Sequence, residues 1–272
     1  MAQGEAAGHP VRLAFRVNYL GGGFSGSQMQ PDRRTVEGEF VAACRRIGLF
    51  DDWRAARFVF SGRTDRGVHA RGQVCAFDTG EPARAIAVLN QQLPRDCWCT
   101  GVAMVPGAFH PRYDARSRTY RYYFREPDLD AAAMDAAARL FVGTHDVSRL
   151  ARLEDHDPVR TMLAAGVRDE EGFTVFEVTG ESFLWHQVRC MASLLLTIGT
   201  GEADAGIVRE HLGAGEGPRA PAAPAEGLVL WSVDCGVAFE FLPPHQRSAV
   251  HIEEVRRCHA LMERIARRLA PE

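Results

Sequence analysis

Apolar and polar residues alternate from Val11 to Tyr19, the period of a half-buried strand. The glycine-rich stretch from Leu20 to Gln30 reads as a loop. Thr35 then stands as an N-cap before Phe40, Val41 and Cys44 at helical spacing, with Gly48 just past the end. Arg57 to Ser61 and Gln73 to Asp78 predict two strands around a polar loop. Ala83 to Leu93 has helical spacing and stops at Pro94, and Trp98 to Val105 is a further strand. In the second half, Arg118 to Phe124 (RTYRYYF) is aromatic and β-prone, and Asp130 to Phe141 is an alanine-rich helix. Thr161 to Arg168 and Thr174 to Thr179 predict a hairpin turning at Glu170-Glu171-Gly172. A strongly apolar helix follows from His186 to Ile198, with a shorter one near Ile207 to Leu212. A Pro- and Ala-rich loop (Gly213 to Gly227) leads to the strand Leu228 to Asp234. Val250 to Leu269 carries charge and apolar residues at helical spacing, the pattern of an added C-terminal helix.

Strands and helices do not alternate strictly, which disfavours a doubly wound parallel sheet. The expected fold class is α+β: two similar α/β halves on mainly antiparallel sheets, with helices on one face and a central cleft between the halves. The boundaries read as an N-terminal arm over 1–10, an α+β domain over 11–107 that holds the polar loop, a second over 108–235, and a helical extension over 236–272.

Composition narrows the function. The 272 residues are 46% apolar and 25% charged, ordinary for a globular chain, and no apolar run approaches the roughly 18 residues of a membrane span. Met1 to Pro10 has neither a basic nor an apolar segment, so it reads as a short arm rather than a signal peptide, and the expected compartment is the cytoplasm. Cys44, Cys75, Cys97, Cys99, Cys190, Cys235 and Cys258 are odd in number, scattered and without a CxxC pair, so they read as reduced, buried thiols rather than a zinc site. A net charge of −3 argues against indiscriminate polyanion binding. Local charge says more. Every basic residue is arginine; Arg54, Arg57, Arg63, Arg66 and Arg71 crowd one segment, and Arg112, Arg116, Arg118, Arg121 and Arg125 another. Arginine forks suit phosphate contacts and stack on bases.

The polar loop carries the candidate chemistry. Residues 61 to 70 read Ser-Gly-Arg-Thr-Asp-Arg-Gly-Val-His-Ala, one carboxylate between Arg63 and Arg66 with glycines at 62 and 67. An isolated Arg-Thr-Asp is most often a polar turn with surface ion pairs. The full run, however, resembles the signature loop of the tRNA pseudouridine synthase A family. Further blocks agree in order: Gly72-Gln73-Val74; Leu89-Asn90 with Leu93-Pro94; Phe109-His110 with Arg112; Arg118-Thr119-Tyr120-Arg121-Tyr122; Phe183-Leu184-Trp185-His186-Gln187-Val188-Arg189; and Ala222 to Leu228. The resemblance spans residues 11 to 235. Departures stand at Leu20, Ser27, Arg66 and Gln187, and the Gly-Ser-Gln variant and the tail beyond 235 resemble archaeal members more than bacterial ones.

The resemblance implies an isomerase that turns uridine into pseudouridine in the anticodon stem-loop of tRNA, at positions 38 to 40, with the cleft holding the RNA. Asp65 is then the nucleophile, attacking either C1′ of the ribose or C6 of the base. Arg189 pairs with Asp65, Tyr120 stacks on the flipped uracil and assists removal of the C5 proton, and Arg63 holds the flipped state. Tyr122 and Phe124 are assigned to packing, and His69 to an RNA contact or, more commonly for a lone histidine, to structure. The family is typically a homodimer with tRNA across both subunits. Nothing is oxidised and no atom is supplied, so neither cofactor nor metal is expected. A binding module without catalysis would lack one of Asp65, Tyr120 and Arg189, and an aspartate-dependent hydrolase would need further acidic residues for magnesium; the sequence shows neither pattern.

Overall fold

A computed structural model describes residues 10–213, 215 and 217–270, so the expected N-terminal arm lies outside the described residues except for Pro10. The first elements are β1 (Val11–Tyr19), α1 (Val36–Arg46), β2 (Val59–Phe60), β3 (His69–Thr79), α2 (Pro82–Gln92) and β4 (Cys97–Val105). Then come β5 (Ser117–Tyr123), α3 (Ala131–Ala138), β6 (Gly143–Asp146), β7 (Val159–Glu170) and β8 (Phe173–Gly180). The chain closes with α4 (Gln187–Gly199), α5 (Gly206–His211), β9 (Leu228–Asp234), β10 (Glu240–Phe241) and α6 (Gln246–Leu269). No described helix is long and apolar enough to cross a membrane.

Local chemistry accounts for most of these boundaries. Thr35 Oγ1 accepts from Gly38 N–H at 3.2 Å, α1 starts with Glu37 and Glu39 and ends with Arg45 and Arg46, and these charges complement the helix dipole. Pro82 opens α2 at a position where a missing N–H costs nothing. Asp130 caps α3 rather than belonging to it, accepting from Ala133 N–H at 2.9 Å. Glu171 and Gly172 both take positive φ (55° and 83°), the two-residue turn that matches strand twist in a hairpin. Two short strands, β6 and β10, have no periodic signal in the sequence. β10 pairs with β4 through Glu240 and Phe241, so the segment after residue 235 is not purely helical.

The protein is mixed α/β around one large, mostly antiparallel sheet. Its ten strands run β10-β4-β1-β3-β9-β5-β8-β7-β6, with β2 paired to β3. Leu13, Phe15, Val17 and Tyr19 of β1 enter an apolar core with Phe40 and Cys44 of α1 and Ala85 and Leu89 of α2, while Ala14 faces away toward Phe109 and Cys235. Tyr122, Phe124, Phe176 and Val178 form a second core with Met134 of α3 and Val188 and Met191 of α4. Tyr122 and Phe124 are thus packing residues. Tyr120 borders both cores, so the helices α1 to α4 cover the same face of the sheet. Six cysteines are buried free thiols as expected, but Cys258 is exposed on α6, where the body does not cover it.

The junction at the middle of the sheet is narrow. Among the described residues, β3 and β9 make the one parallel pairing, through His69 with Val229 and Ala70 with Leu230. There Gly72 brings two backbones together: a Cβ on it would lie 2.6 Å from Trp231 O and 2.8 Å from Ser232 Cα. Overpacking of this kind cannot be relieved by a side-chain rotation, so Gly72→Ala should cost about 2 kcal/mol of stability. Gly80→Ala, where nothing lies within 4 Å, should change it by less than about 0.5 kcal/mol. Urea denaturation of the two variants checks this, and equal midpoints would refute the close approach.

His69 opens β3 in a structural role. Its Nδ1 accepts from Gly21 N–H at 3.1 Å, which keeps the ring proton on Nε2. Burial lowers its pKa, outweighing the opposing pull of Glu226. The folded state therefore favours the neutral ring, a contribution present above the unperturbed value of about 6.5 and lost as pH falls through it. The unfolding midpoint of the wild type should fall more steeply than that of His69→Gln as pH drops from about 7.5 to about 5.5. Parallel slopes would show that His69 is not held neutral by folding.

Candidate active site

The loop between β2 and β3 is held from beneath before it presents any chemistry. Thr64 N–H donates to Ser27 Oγ at 2.8 Å, its carbonyl accepts from Ser27 N–H at 3.0 Å, and its hydroxyl pairs with Tyr19 OH at 2.8 Å. Ser27 is fully buried and Tyr19 nearly so. Burial drives the Tyr19 phenol well above its usual range, so it remains a neutral hydrogen-bonding group. Gly67, at φ 89°, turns the chain back into β3. With Thr64 pinned on three sides, the direction of Asp65 is set.

Asp65 faces the start of α4. Its Oδ1 accepts from Trp185 Nε1–H at 2.9 Å, and its Oδ2 from Arg189 Nη1 at 2.8 Å, with His186 Nε2 at 3.3 Å. Arg189 is in turn oriented by donating from Nε to Ala223 O at 2.7 Å. The side chains of Asp65 and Arg189 are 26% and 16% exposed, a depth at which a carboxylate needs a cation and the remaining water can still reach it. His186 sits at φ 66°, a strained value for a residue with a Cβ, and this turn directs its ring at Asp65. Burial lowers the His186 pKa, Asp65 raises it, and Arg189, Arg219 and Arg152 oppose that rise. The imidazole is therefore neutral at neutral pH, and Arg189 is the cation that answers Asp65. Arg152 lies over the Trp185 ring at 4.3 Å and donates its backbone N–H to Trp185 O, which fixes the indole.

Tyr120 stands on β5 at the boundary of the two cores, its ring edge-on to Phe183 with centroids 5.3 Å apart. Burial pushes its phenol up to about 12, Arg118 opposing and Asp65 adding to the rise. The ring is thus neutral, and it lies within electrostatic reach of the Asp65 carboxylate. Arg63 is exposed, as is Arg66. The structure so brings Asp65, Arg189 and Tyr120 together and leaves Arg63 at the outer side of the loop.

Several of the crowded arginines are engaged within the protein rather than free for phosphate contacts. Arg118 donates to Glu181 O, Ser61 O and Arg112 O, tying loops together. Arg121 alternates to the opposite face from Tyr120, paired with Glu177 at 2.5 Å and Glu170 at 3.1 Å and stacked 3.5 Å over Trp231. Arg57 pairs with Asp78, and Arg71 stacks on Trp231. Arginines close in sequence therefore serve different structural ends. Two contacts around Asp65 have no signal in the sequence: Trp185 as a donor to Asp65, and Ser27 as the clamp of Thr64. Trp185 sits inside a motif whose arginine draws attention, and Ser27 reads only as a departure. Among the described residues no group of three or more His, Cys, Asp or Glu is placed to hold a metal ion.

Comparison with known proteins identifies the family of the chain. A family profile described as tRNA pseudouridine synthase matches residues 137–234. A protein of Methanoculleus marisnigri named tRNA pseudouridine synthase A is 55% identical over 96% of this chain and 97% of its own length. Proteins of the same name from Methanosphaerula palustris and Thermococcus onnurineus are 54% and 40% identical, over 94% and 89% of this chain and 91% of each relative. A solved Cbf5-Nop10-Gar1 complex matches at 15% identity and a TM-score of 0.33, over 69% of this chain and 53% of that one, too remote to bear on the fold. At these identities and over nearly its whole length, alongside archaeal relatives, the chain belongs to the tRNA pseudouridine synthase A family of isomerases.

Proposed function

We propose that this enzyme converts uridine to pseudouridine in the anticodon stem-loop of tRNA, at positions 38 to 40, with Asp65 as the nucleophile. The observation that carries the reading is the Asp65 carboxylate, gripped by Trp185 and Arg189 yet partly open to solvent, beside the ring of Tyr120. The N1–C1′ bond breaks, the uracil turns, a C5–C1′ bond forms, and the C5 proton departs while N1 gains one. Atoms and oxidation state balance without a cofactor. A carboxylate suits this path because it can attack carbon, at C1′ or C6, and later leave. The guanidinium of Arg189 pairs with it and aims it.

The target base leaves its stack at a cost of a few kcal/mol. Exposed Arg63 contacts phosphate or fills the gap, and Tyr120 walls the flipped uracil. With its phenol pushed up to about 12, Tyr120 acts chiefly through stacking rather than as a phenolate base. In this reading residues 11–107 and 108–235 are two α+β halves whose shared cleft holds the RNA, and 236–272 is an extension. The enzyme works in the cytoplasm as a homodimer, with tRNA across both subunits.

Tritium release from tRNA carrying C5-labelled uridine is the first test. Wild type should release label and Asp65→Ala none; release from both would mean a different nucleophile, and release from neither with binding intact would point to another RNA or to binding alone. Trp185→Phe keeps the ring and removes one hydrogen bond to a charged group, so kcat should fall by about ten- to a hundredfold. An unchanged kcat in Trp185→Phe would remove the indole from the mechanism.

A further inference from the structure

The helix α6 leaves the body part-way along its length. Ser248 at its base is 2% exposed, but every residue from Arg256 to Leu269 is exposed. Along this projecting arm Val255, Cys258, Met262, Ile265 and Leu269 recur at alternating spacings of three and four, with Ser248 and His251 continuing the series backward. That is an a/d heptad seam, with Ser248, Val255, Met262 and Leu269 at a and His251, Cys258 and Ile265 at d. Met262, Ile265 and Leu269 are 60%, 41% and 78% exposed. The ion pairs Glu253–Arg256, Glu253–Arg257 and Glu263–Arg267 occupy b, c and f positions, the side away from the seam. A lone helical arm of this length is marginal in water, and burial of the seam is what would support it.

We propose that α6 pairs with α6 of a second copy of this chain as an antiparallel two-stranded coiled coil. The proposal rests on the homodimer in the functional reading above and names its surface. Charge sets the direction. The g positions are Glu254, Leu261 and Arg268, and antiparallel strands set g against g. With Leu261 on the two-fold axis, Glu254 of each copy meets Arg268 of the other. The same register layers Val255 on Ile265, Cys258 on Met262 and His251 on Leu269, every a position against a d. A parallel pair would set g against e, giving Glu254 opposite His259 and no partner for Arg268 within the described helix. The overlap from residue 251 to 269 spans about 27 Å and holds the two bodies at opposite ends of the pair.

Sedimentation velocity of the full chain at micromolar concentration tests the surface. Wild type should be a dimer, and Met262→Glu/Ile265→Glu, which places like charges in the seam, should weaken dimerisation at least about a hundredfold. Its main thermal transition, that of the body, should stay unchanged, because the altered residues lie outside both cores. A wild-type monomer would overturn this proposal together with the homodimer, while tritium release reports independently on the isomerase reading. A variant that still dimerises like wild type, including one that instead loses tRNA affinity, would overturn the coiled coil alone. Direction is read by oxidation with copper phenanthroline and oxygen, which takes two electrons and two protons from a thiol pair. Met262→Cys should form a disulfide-linked dimer with Cys258 of the other copy, and wild type should not; a linked wild-type dimer through Cys258 would refute the antiparallel register.

Discussion

A carboxylate that is three-quarters covered must find its counter-charge inside the protein, and for Asp65 that counter-charge comes from 124 residues further along the chain. The fold can be understood as the arrangement that satisfies this need. Asp65 is carried by a loop rooted in β3, and Arg189 and Trp185 by the start of α4, so the two meet only if the parts of the sheet that carry them are joined. The join is the two-residue parallel contact of β3 with β9, and it is close enough there that residue 72 has no room for a side chain. A carboxylate without Arg189 would be left partly desolvated and unpaired, which costs more than the pair itself gains. The same pairing that orients the Asp65 carboxylate therefore also supports the fold.

Rigidity around Asp65 comes from neutral groups. Thr64 is bound by Ser27 and Tyr19, both buried, and the Tyr19 phenol is raised far enough that it never ionises in ordinary conditions. His186 and His69 are both kept neutral chiefly by burial. The groups that hydrogen-bond the Asp65 carboxylate are thus one guanidinium and one indole N–H. Uncharged neighbours and a guanidinium thus fix the direction of the Asp65 carboxylate.

The arginines illustrate how a compositional signal is redistributed by folding. Arg118 and Arg121 are three residues apart, yet strand alternation sends them to opposite faces, one to bind loop carbonyls and one to pair with Glu170 and Glu177. Arg57 and Arg71 are likewise engaged, with Asp78 and Trp231. Arg63 and Arg66 are left exposed beside Asp65. The positive charge offered to a phosphate backbone is accordingly smaller and more local than the arginine count suggests, which suits a protein whose net charge is −3.

Local rules determined a good deal from the sequence alone. The strand at Val11 to Tyr19, the Thr35 cap, the hairpin at Glu171-Gly172, the stop at Pro94 and the apolar α4 follow from periodicity, capping and turn chemistry, which act over a few residues. The loop holding Asp65, the motif holding Arg189 and the strand holding Tyr120 were legible only through their resemblance to the motifs of a family, since local rules read them as a polar turn, a helix start and a strand. The start of β3 at His69 rather than Gln73 was not, because its first residues become strand by pairing with β9, some 160 positions away. β6 and β10 are too short to carry a period. Trp185 as a donor to Asp65 and Ser27 as the clamp of Thr64 were hidden too, since each depends on a hydrogen bond between segments distant in sequence. Residue type and spacing specify which groups are present and how each segment folds; which group faces which is decided only when the sheet closes and brings those segments within 3 Å of one another.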